Sequence, residues 1–121
     1  MIHKDNLDKI PKEAGIYYLY SKKRKLVYIG KADNLKNRIT KHYNNHKEAL
    51  IYYSKKSYYF PTLHLTKPFE YYRYTIIKDK LTRKNVEKEL IKELKPKYNN
   101  INVMQSRYDK HFNYNFFLDK L

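Results

Sequence analysis

The chain has 121 residues and carries 27 lysines and arginines against 12 aspartates and glutamates, a formal net charge of +15 at pH 7. The length predicts a single domain, and 41% hydrophobic residues are enough for a core, which excludes a disordered basic tail. The absence of cysteine excludes a disulfide scaffold, a cysteine-rich zinc module and a thiol nucleophile. No apolar run has the length of a signal peptide or of a membrane span, so we expect a cytoplasmic protein.

The positive charge predicts contact with a polyanion, of which nucleic acid is the usual one. The alternatives are a solvated basic surface and a ribosome-like structural protein. The 15 tyrosines are weak support for base stacking, because tyrosine, lysine, asparagine and isoleucine are all abundant here and all have AT-rich codons.

The first half of the chain predicts a hairpin followed by a helix. Residues 15–20 and 25–31 are rich in tyrosine and β-branched side chains and are separated by a polar stretch, which is typical of a β-hairpin. Residues 33–43 predict a helix with Asp33 as its N-cap. Its apolar stripe recurs every four residues: Leu35, Ile39 and Tyr43.

The second half contains a third strand and a second helix. Residues 44–68 are the least readable and are interpreted as a surface insertion, with a short helix near 49–56 and a loop between Pro61 and Pro68. Residues 69–78 predict the strand. Residues 83–94 predict the helix, with Thr82 as its cap, Pro96 as its stop and Val86, Leu90, Ile91 and Leu94 on one face. The elements predict a small α/β domain of the α+β type, a three-stranded antiparallel sheet flanked by helices.

The only two glycines, Gly15 and Gly30, lie at the ends of the hairpin strands. Glycine in a strand usually marks a close approach of another group, and the alternative is an ordinary strand boundary. A hairpin centred between Lys22 and Lys23 places Tyr17 opposite Tyr28, so both phenols share one face beneath Gly30. A cross-strand aromatic pair that only stabilises the hairpin is the alternative.

Two side chains of the first helix, Arg38 and His42, are spaced i, i+4 and are expected to face Tyr17 and Tyr28. A guanidinium offers forked donors to a phosphate during hydrolysis, although a lone arginine is more often a solvated charge. His42 is interpreted as a phosphate donor or a proton shuttle. A zinc site formed with His46 is disfavoured, because no second ligand pair appears.

Glu87 falls inside the apolar stripe of the second helix. A carboxylate at the edge of a buried face needs a partner. One Mg²⁺ is a natural partner, since this ion keeps most of its waters and shares the substrate phosphate oxygens. The alternative is an interior salt bridge to Arg38 or Lys31.

Four blocks in order resemble the GIY-YIG nuclease superfamily, and within it the N-terminal incision domains of bacterial excision-repair nucleases. The blocks are Gly15-Ile16-Tyr17, then Tyr28-Ile29-Gly30 after ten residues, then KADNLKNR with Arg38 and His42, and finally VEKELIKELKPKYN with Glu87 and Asn99. The resemblance runs from about Pro11 to Asn99 and leaves residues 44–68 unmatched.

The resemblance implies a one-metal hydrolysis without a covalent intermediate. In this interpretation Glu87 holds Mg²⁺ or Mn²⁺ on the leaving-group side, and Tyr17 or Tyr28 activates the attacking water. A tyrosine has a pKa near 10, so we expect surrounding cations to lower it. Arg38, His42 and Lys31 stabilise the phosphate, Gly30, Lys31 and Asn99 contact substrate, and Asn99 orients Glu87 or the substrate backbone.

The resulting hypothesis is a metal-dependent DNA endonuclease with a core at about residues 11–100 and an extension at 101–121. Such an enzyme is expected to be a free-standing phage or mobile-element nuclease, or a subunit of a repair or restriction system. The alternatives are an inactive basic nucleic-acid-binding module and a nuclease restricted to single strands or RNA, where tyrosine stacking replaces groove contacts.

Overall fold

The computed structural model describes the backbone of residues 1–54 and 69–99 and the side chains of residues 1–45 and 69–99. The predicted loop between Pro61 and Pro68, most of the predicted insertion and the extension at 101–121 lie outside the described residues. Within the described ranges, no helix is both long enough and apolar enough to cross a membrane.

The described strands form one antiparallel sheet in the order β1-β4-β2-β3. They are β1 (Ile2–His3), β2 (Gly15–Tyr20), β3 (Leu26–Ala32) and β4 (Tyr71–Ile76). The three predicted strands are therefore confirmed, and a fourth, two-residue strand is added at the edge of β4. Two residues are too few for a periodicity to be read from sequence. Because β2 is paired over its full length with both β3 and β4, it is the most buried strand, and it carries Tyr17 into the core.

The predicted register of the β2–β3 hairpin is wrong by two residues. Tyr17 lies opposite Gly30, and Tyr28 lies opposite Leu19. One residue is added in the turn, where Arg24 has a left-handed φ of 60° and its N–H donates to Ser21 O at 2.8 Å. A second irregularity lies between Leu19 and Tyr20. A shift of two preserves the face of every side chain, so both tyrosines still share one face.

Helix α1 (Leu35–Ser54) is one helix of 20 residues, so it includes the start of the segment predicted as a separate short helix. Its N-cap is Asn34, whose Oδ1 accepts the N–H of Asn37 at 3.1 Å, and the prediction of Asp33 as the cap is wrong. Leu35 and Ile39 are fully buried against the sheet and fix which side of α1 faces the core.

Helix α2 (Lys80–Leu94) begins three residues earlier than predicted. Asp79 is its N-cap and accepts the N–H of Thr82 at 2.8 Å, so Thr82 lies in the first turn instead of capping it. The helix ends as predicted before Pro96, with Lys95 in the left-handed conformation. A short 3₁₀ turn, Lys97–Asn99, then runs beside β3. Leu94 is 49% exposed, so the predicted apolar stripe is not buried along its full length.

Gly15 lies opposite Ile76 where β2 pairs with β4, and it leaves no room for a side chain. A Cβ at this position would lie 2.2 Å from the carbonyl oxygen of Thr75, a backbone atom that moves only with the strand. Gly15→Ala is therefore expected to lower the free energy of unfolding by roughly 1–3 kcal/mol, the usual cost of overpacking. Urea unfolding followed by circular dichroism measures this, and an unchanged midpoint would contradict the close approach.

Candidate active site

A pocket of about 320 Å³ opens where β3, the start of α1 and α2 meet. It brings together five of the predicted site residues: Tyr17, Tyr28, Lys31, Arg38 and Glu87. It also contains three cations that the sequence interpretation missed: Lys80, Arg83 and Lys84. Residues from three separate parts of the chain therefore converge on one cavity with a strongly positive wall.

The two phenols form part of the wall of this pocket, and the His42 ring packs against both of them. The ring centroids of Tyr17 and Tyr28 are 6.0 Å apart, and the His42 ring lies 5.3 Å and 5.6 Å from them. The Tyr17 hydroxyl and His42 Nε2 share a hydrogen bond of 2.7 Å. His42 is only 8% exposed. It contacts Tyr17 and is not one of the residues that line the pocket. Its predicted role as a phosphate donor stays a prediction.

Gly30 provides the space that the Tyr17 ring occupies. A Cβ at Gly30 would lie 2.3 Å from both Cζ and the hydroxyl oxygen of Tyr17. The glycine expected from sequence to mark a close approach does so, because the phenol of the GIY triplet packs on the backbone of the YIG triplet. A direct contact between Gly30 and substrate stays a prediction.

Gly30→Ala is expected to displace the Tyr17 ring and to reduce catalysis by on the order of a hundredfold, since a small misplacement of a catalytic group has effects of this size. The clash is with the end of a side chain, so we expect a smaller loss of stability than for Gly15→Ala. Parallel cleavage assays and urea unfolding of the two variants test the contrast. Equal losses of stability and activity in both variants would contradict it.

The pKa values of both phenols are raised in the protein. Burial is the main cause for each, and the charge of Arg38 opposes it without overcoming it. The expectation that the surrounding cations lower a tyrosine pKa is therefore not met by the described residues. A hydrogen bond between the two hydroxyls raises the pKa of Tyr17 and lowers that of Tyr28. Of the two, Tyr28 is the easier to ionise.

Glu87 is a partly buried carboxylate directed into the pocket. Burial raises its pKa above the ordinary glutamate value, while the charge of Lys31 and a hydrogen bond from the Lys31 backbone N–H act in the opposite direction. Among the described side chains, no cationic nitrogen lies within 4 Å of the Glu87 carboxylate. Glu87 therefore does not form the interior salt bridge to Arg38 or Lys31 that was the alternative.

Arg83 joins α2 to the neighbouring elements and is 4% exposed. Its guanidinium donates to Ile77 O at 3.0 Å, to Lys78 O at 3.2 Å and to Asp33 Oδ1 at 2.7 Å. Arg83 lies one helical turn before Glu87, so its three hydrogen bonds fix the part of α2 that carries the Glu87 carboxylate. The i, i+4 spacing to Glu87 is the sequence signal that could have identified Arg83.

The Asn99 side chain forms two hydrogen bonds with the outer edge of β3. Its Oδ1 accepts the N–H of Ile29 and its Nδ2 donates to Ile29 O, both at 2.9 Å. The side chain thereby holds the strand between Tyr28 and Gly30 in place. The structure shows this bracing role, and a contact of Asn99 with Glu87 or with substrate stays a prediction.

A zinc site has no support among the described residues, where no group of three or more histidine, cysteine, aspartate or glutamate side chains is placed to hold a metal ion. His42 is hydrogen-bonded to Tyr17. The side chain of His46 lies outside the described residues.

Comparison with known proteins identifies the family. The profile of the GIY-YIG catalytic domain matches residues 13–99. The chain belongs to the GIY-YIG nuclease superfamily. The resemblance that the two triplets carry is thus confirmed, and the match ends at Asn99 in the 3₁₀ turn.

Curated relatives of this GIY-YIG domain include the UvrABC system protein C of two bacteria. That of Wolinella succinogenes is 32% identical over 114 residues, which cover 93% of this chain and 18% of the relative. That of Lachnospira eligens is 33% identical over 97 residues, which cover 78% of this chain and 14% of the relative. The chain thus spans less than a fifth of the length of either protein.

Solved structures confirm the GIY-YIG fold. The N-terminal endonuclease domain of UvrC from Thermotoga maritima, solved with its catalytic magnesium, superposes with a TM-score of 0.54 at 23% identity. The match covers 78% of this chain and 92% of that domain. The antiparallel sheet flanked by two helices is shared.

Proposed function

We propose that this GIY-YIG domain is a metal-dependent endonuclease that hydrolyses DNA phosphodiester bonds with a single Mg²⁺ or Mn²⁺. The observation that carries the proposal is the position of Glu87 in the same pocket as Tyr28 and Arg38. The relatives support it, since the UvrC domain of Thermotoga maritima is described as an endonuclease with a catalytic divalent cation. We place the domain core at about residues 11–100 and its action in the cytoplasm.

The pocket fits one hard divalent cation. Glu87 would hold it, because its carboxylate has no cationic partner within 4 Å among the described side chains and its burial disfavours an uncompensated charge. A single protein carboxylate suits Mg²⁺, which completes its shell with water and phosphate oxygens. When bound, the ion would supply Lewis-acid stabilisation of the charge that develops on the leaving oxygen.

Tyr28 is the better candidate for the group that takes the proton of the attacking water. It lines the pocket and is less enclosed than Tyr17, which is 1% exposed. The hydrogen bond between the two hydroxyls favours the ionised form of Tyr28. Tyr17 and His42 would then orient Tyr28 from behind, as a connected hydrogen-bonded pair.

The cations of the pocket would hold the scissile phosphate opposite these groups. Arg38 offers two parallel donors, and Lys31 lies on the strand that carries Tyr28. Lys80 and Lys84 lie on the helix that carries Glu87 and would contact the flanking phosphates. Donors fixed in this way before the reaction stabilise the charge of a pentacoordinate phosphate without reorganisation.

Nicking of supercoiled plasmid tests the proposal. The protein is expected to nick DNA with Mg²⁺ or Mn²⁺ and not with EDTA. Cleavage of matched single-stranded, duplex, branched and RNA oligonucleotides then identifies the substrate and separates the alternative of a nuclease restricted to single strands or RNA. Binding without cleavage of any of them would contradict the proposal and leave a basic binding module.

The biological setting is a separate proposal, because this chain covers only 14–18% of the UvrC relatives. We propose a role in DNA repair or restriction, or as a free-standing phage or mobile-element nuclease. A matched comparison of intact and lesion-containing duplexes tests the repair role, which predicts faster incision beside the lesion.

A further inference from the structure

A second basic surface lies on the side of α1 that faces away from the sheet. It is an open groove of about 490 Å³, the α1 groove, lined by Lys12, Lys36, Asn37, Thr40, Lys41 and Asn44. Its walls contain three ammonium groups, two amides and one hydroxyl, with no carboxylate and no apolar side chain. This composition suits an extended polyanion better than a small apolar ligand, which needs an enclosed pocket.

The charge of this groove is not compensated within the described structure. The ion pairs among the described residues involve other cations, such as Lys4, Lys78 and Arg83, and none involves the three lysines of the groove. The first turn of α1 contains no acidic residue, although acidic side chains are the stabilising ones at that end of a helix. Lys36 lies there instead. A residue type that lowers folding stability at its position is expected where function requires that residue.

The chemistry of the groove matches the phosphate backbone of nucleic acid. Contacts that position a protein on a duplex come from lysine together with asparagine and threonine side chains. These are the residue types that line this groove. Each such contact releases condensed counterions, so its contribution is measurable as a salt dependence.

The position of the groove indicates which strand it binds. Leu35 and Ile39 mark the core side of α1, and Arg38 lies in the catalytic pocket. The body of α1 therefore stands between the groove and the pocket. A helix with its side chains is about 10–12 Å across, close to the ~12 Å width of the major groove that separates the two backbones of a duplex.

We propose that the α1 groove binds the backbone of the strand that is not cut, while the scissile strand occupies the catalytic pocket. The inference rests on the proposed nuclease function and extends it to the geometry of the substrate. It predicts that the domain prefers a duplex over a single strand, because only a duplex supplies phosphates on both sides of α1.

The test measures binding in EDTA, where no cleavage occurs. Its result therefore does not depend on whether the protein is a nuclease. The triple variant Lys12→Gln, Lys36→Gln, Lys41→Gln is compared with a control of equal charge, Lys22→Gln, Lys23→Gln, Lys25→Gln, in the exposed β2–β3 turn. Fluorescence anisotropy with a labelled duplex gives Kd as a function of KCl concentration.

The groove variant is expected to lose about one unit of salt slope per lysine, about three in total, and to raise Kd for duplex at least about tenfold at moderate salt. The control variant should change the slope much less. For a single strand of the same sequence, the two variants should be equal. A variant with Lys12→Arg, Lys36→Arg and Lys41→Arg should bind like the wild type.

Equal slopes for the groove variant and the control, or an equal effect on single strands and duplex, would overturn the proposal. Should the glutamine variant fail to fold, amide NMR of the wild type decides. Duplex addition is then expected to shift the Asn37, Thr40 and Asn44 signals, and unshifted signals would overturn it.

Discussion

Glu87→Gln is expected to reduce Mg²⁺-dependent cleavage by at least about a thousandfold, because a neutral amide cannot balance the charge of a divalent cation. The other acidic side chain in the pocket, Asp33, is already paired with Arg83 at 2.7 Å and does not replace it. Plasmid nicking and a single-turnover oligonucleotide assay measure the loss.

The same substitution is expected to leave stability unchanged or higher at pH 7. A pKa raised by burial means that the ionised Glu87 carboxylate is disfavoured in the folded state, so this group lowers stability above its pKa. Glu89→Gln, at an exposed position of the same helix, is the matched control and should keep full activity. Equal activity of the two variants, or an unfolded Glu87→Gln protein, would contradict the assignment.

Tyr28→Phe is expected to reduce the single-turnover rate by roughly 10²–10⁴-fold, the range for loss of a general base. Tyr17→Phe should have a smaller effect, because it removes hydrogen bonds to Tyr28 and His42 but not the proton acceptor. Tyr18→Phe is the control, since successive strand residues point to opposite faces of the sheet.

The pH profile distinguishes the two tyrosines further. Because burial raises the pKa of Tyr28, the fraction ionised increases with pH across the neutral and mildly alkaline range. The wild-type rate should therefore rise with pH, and Tyr28→Phe should flatten the rise while Tyr17→Phe retains it. A larger loss in Tyr17→Phe, with a retained slope in Tyr28→Phe, would reverse the assignment.

The convergence of Tyr17, Tyr28 and Arg38 on one pocket was predictable from sequence, because their positions depend on spacing and parity. The i, i+4 spacing put Arg38 and His42 on one side of α1, and the period of two kept Tyr17 and Tyr28 on one face. The two-residue error in register left that parity intact. For the same reason the close approach at Gly30 was predictable, although its strand partner was not.

The features that the sequence did not reveal depend on which of several similar residues makes a given tertiary contact. Asp33 and Asn34 are both good N-caps, and the pairing of Asp33 with Arg83 leaves Asn34 to cap α1. Burial of Arg83 is tolerated because two backbone carbonyls and Asp33 accept hydrogen bonds from its guanidinium. The left-handed Arg24 that shifts the hairpin occupies a position where glycine or asparagine is usual.

In the proposed site the phenols, the guanidinium and the carboxylate surround one cation and one phosphate. Substoichiometric Mn²⁺ tests it most directly, because a paramagnetic ion broadens the amide NMR signals nearest to it. We expect broadening centred on Glu87 and on Lys31, whose backbone N–H faces the Glu87 carboxylate, with the effect lost in Glu87→Gln and kept in Glu89→Gln. Broadening centred elsewhere, or unchanged in Glu87→Gln, would contradict it.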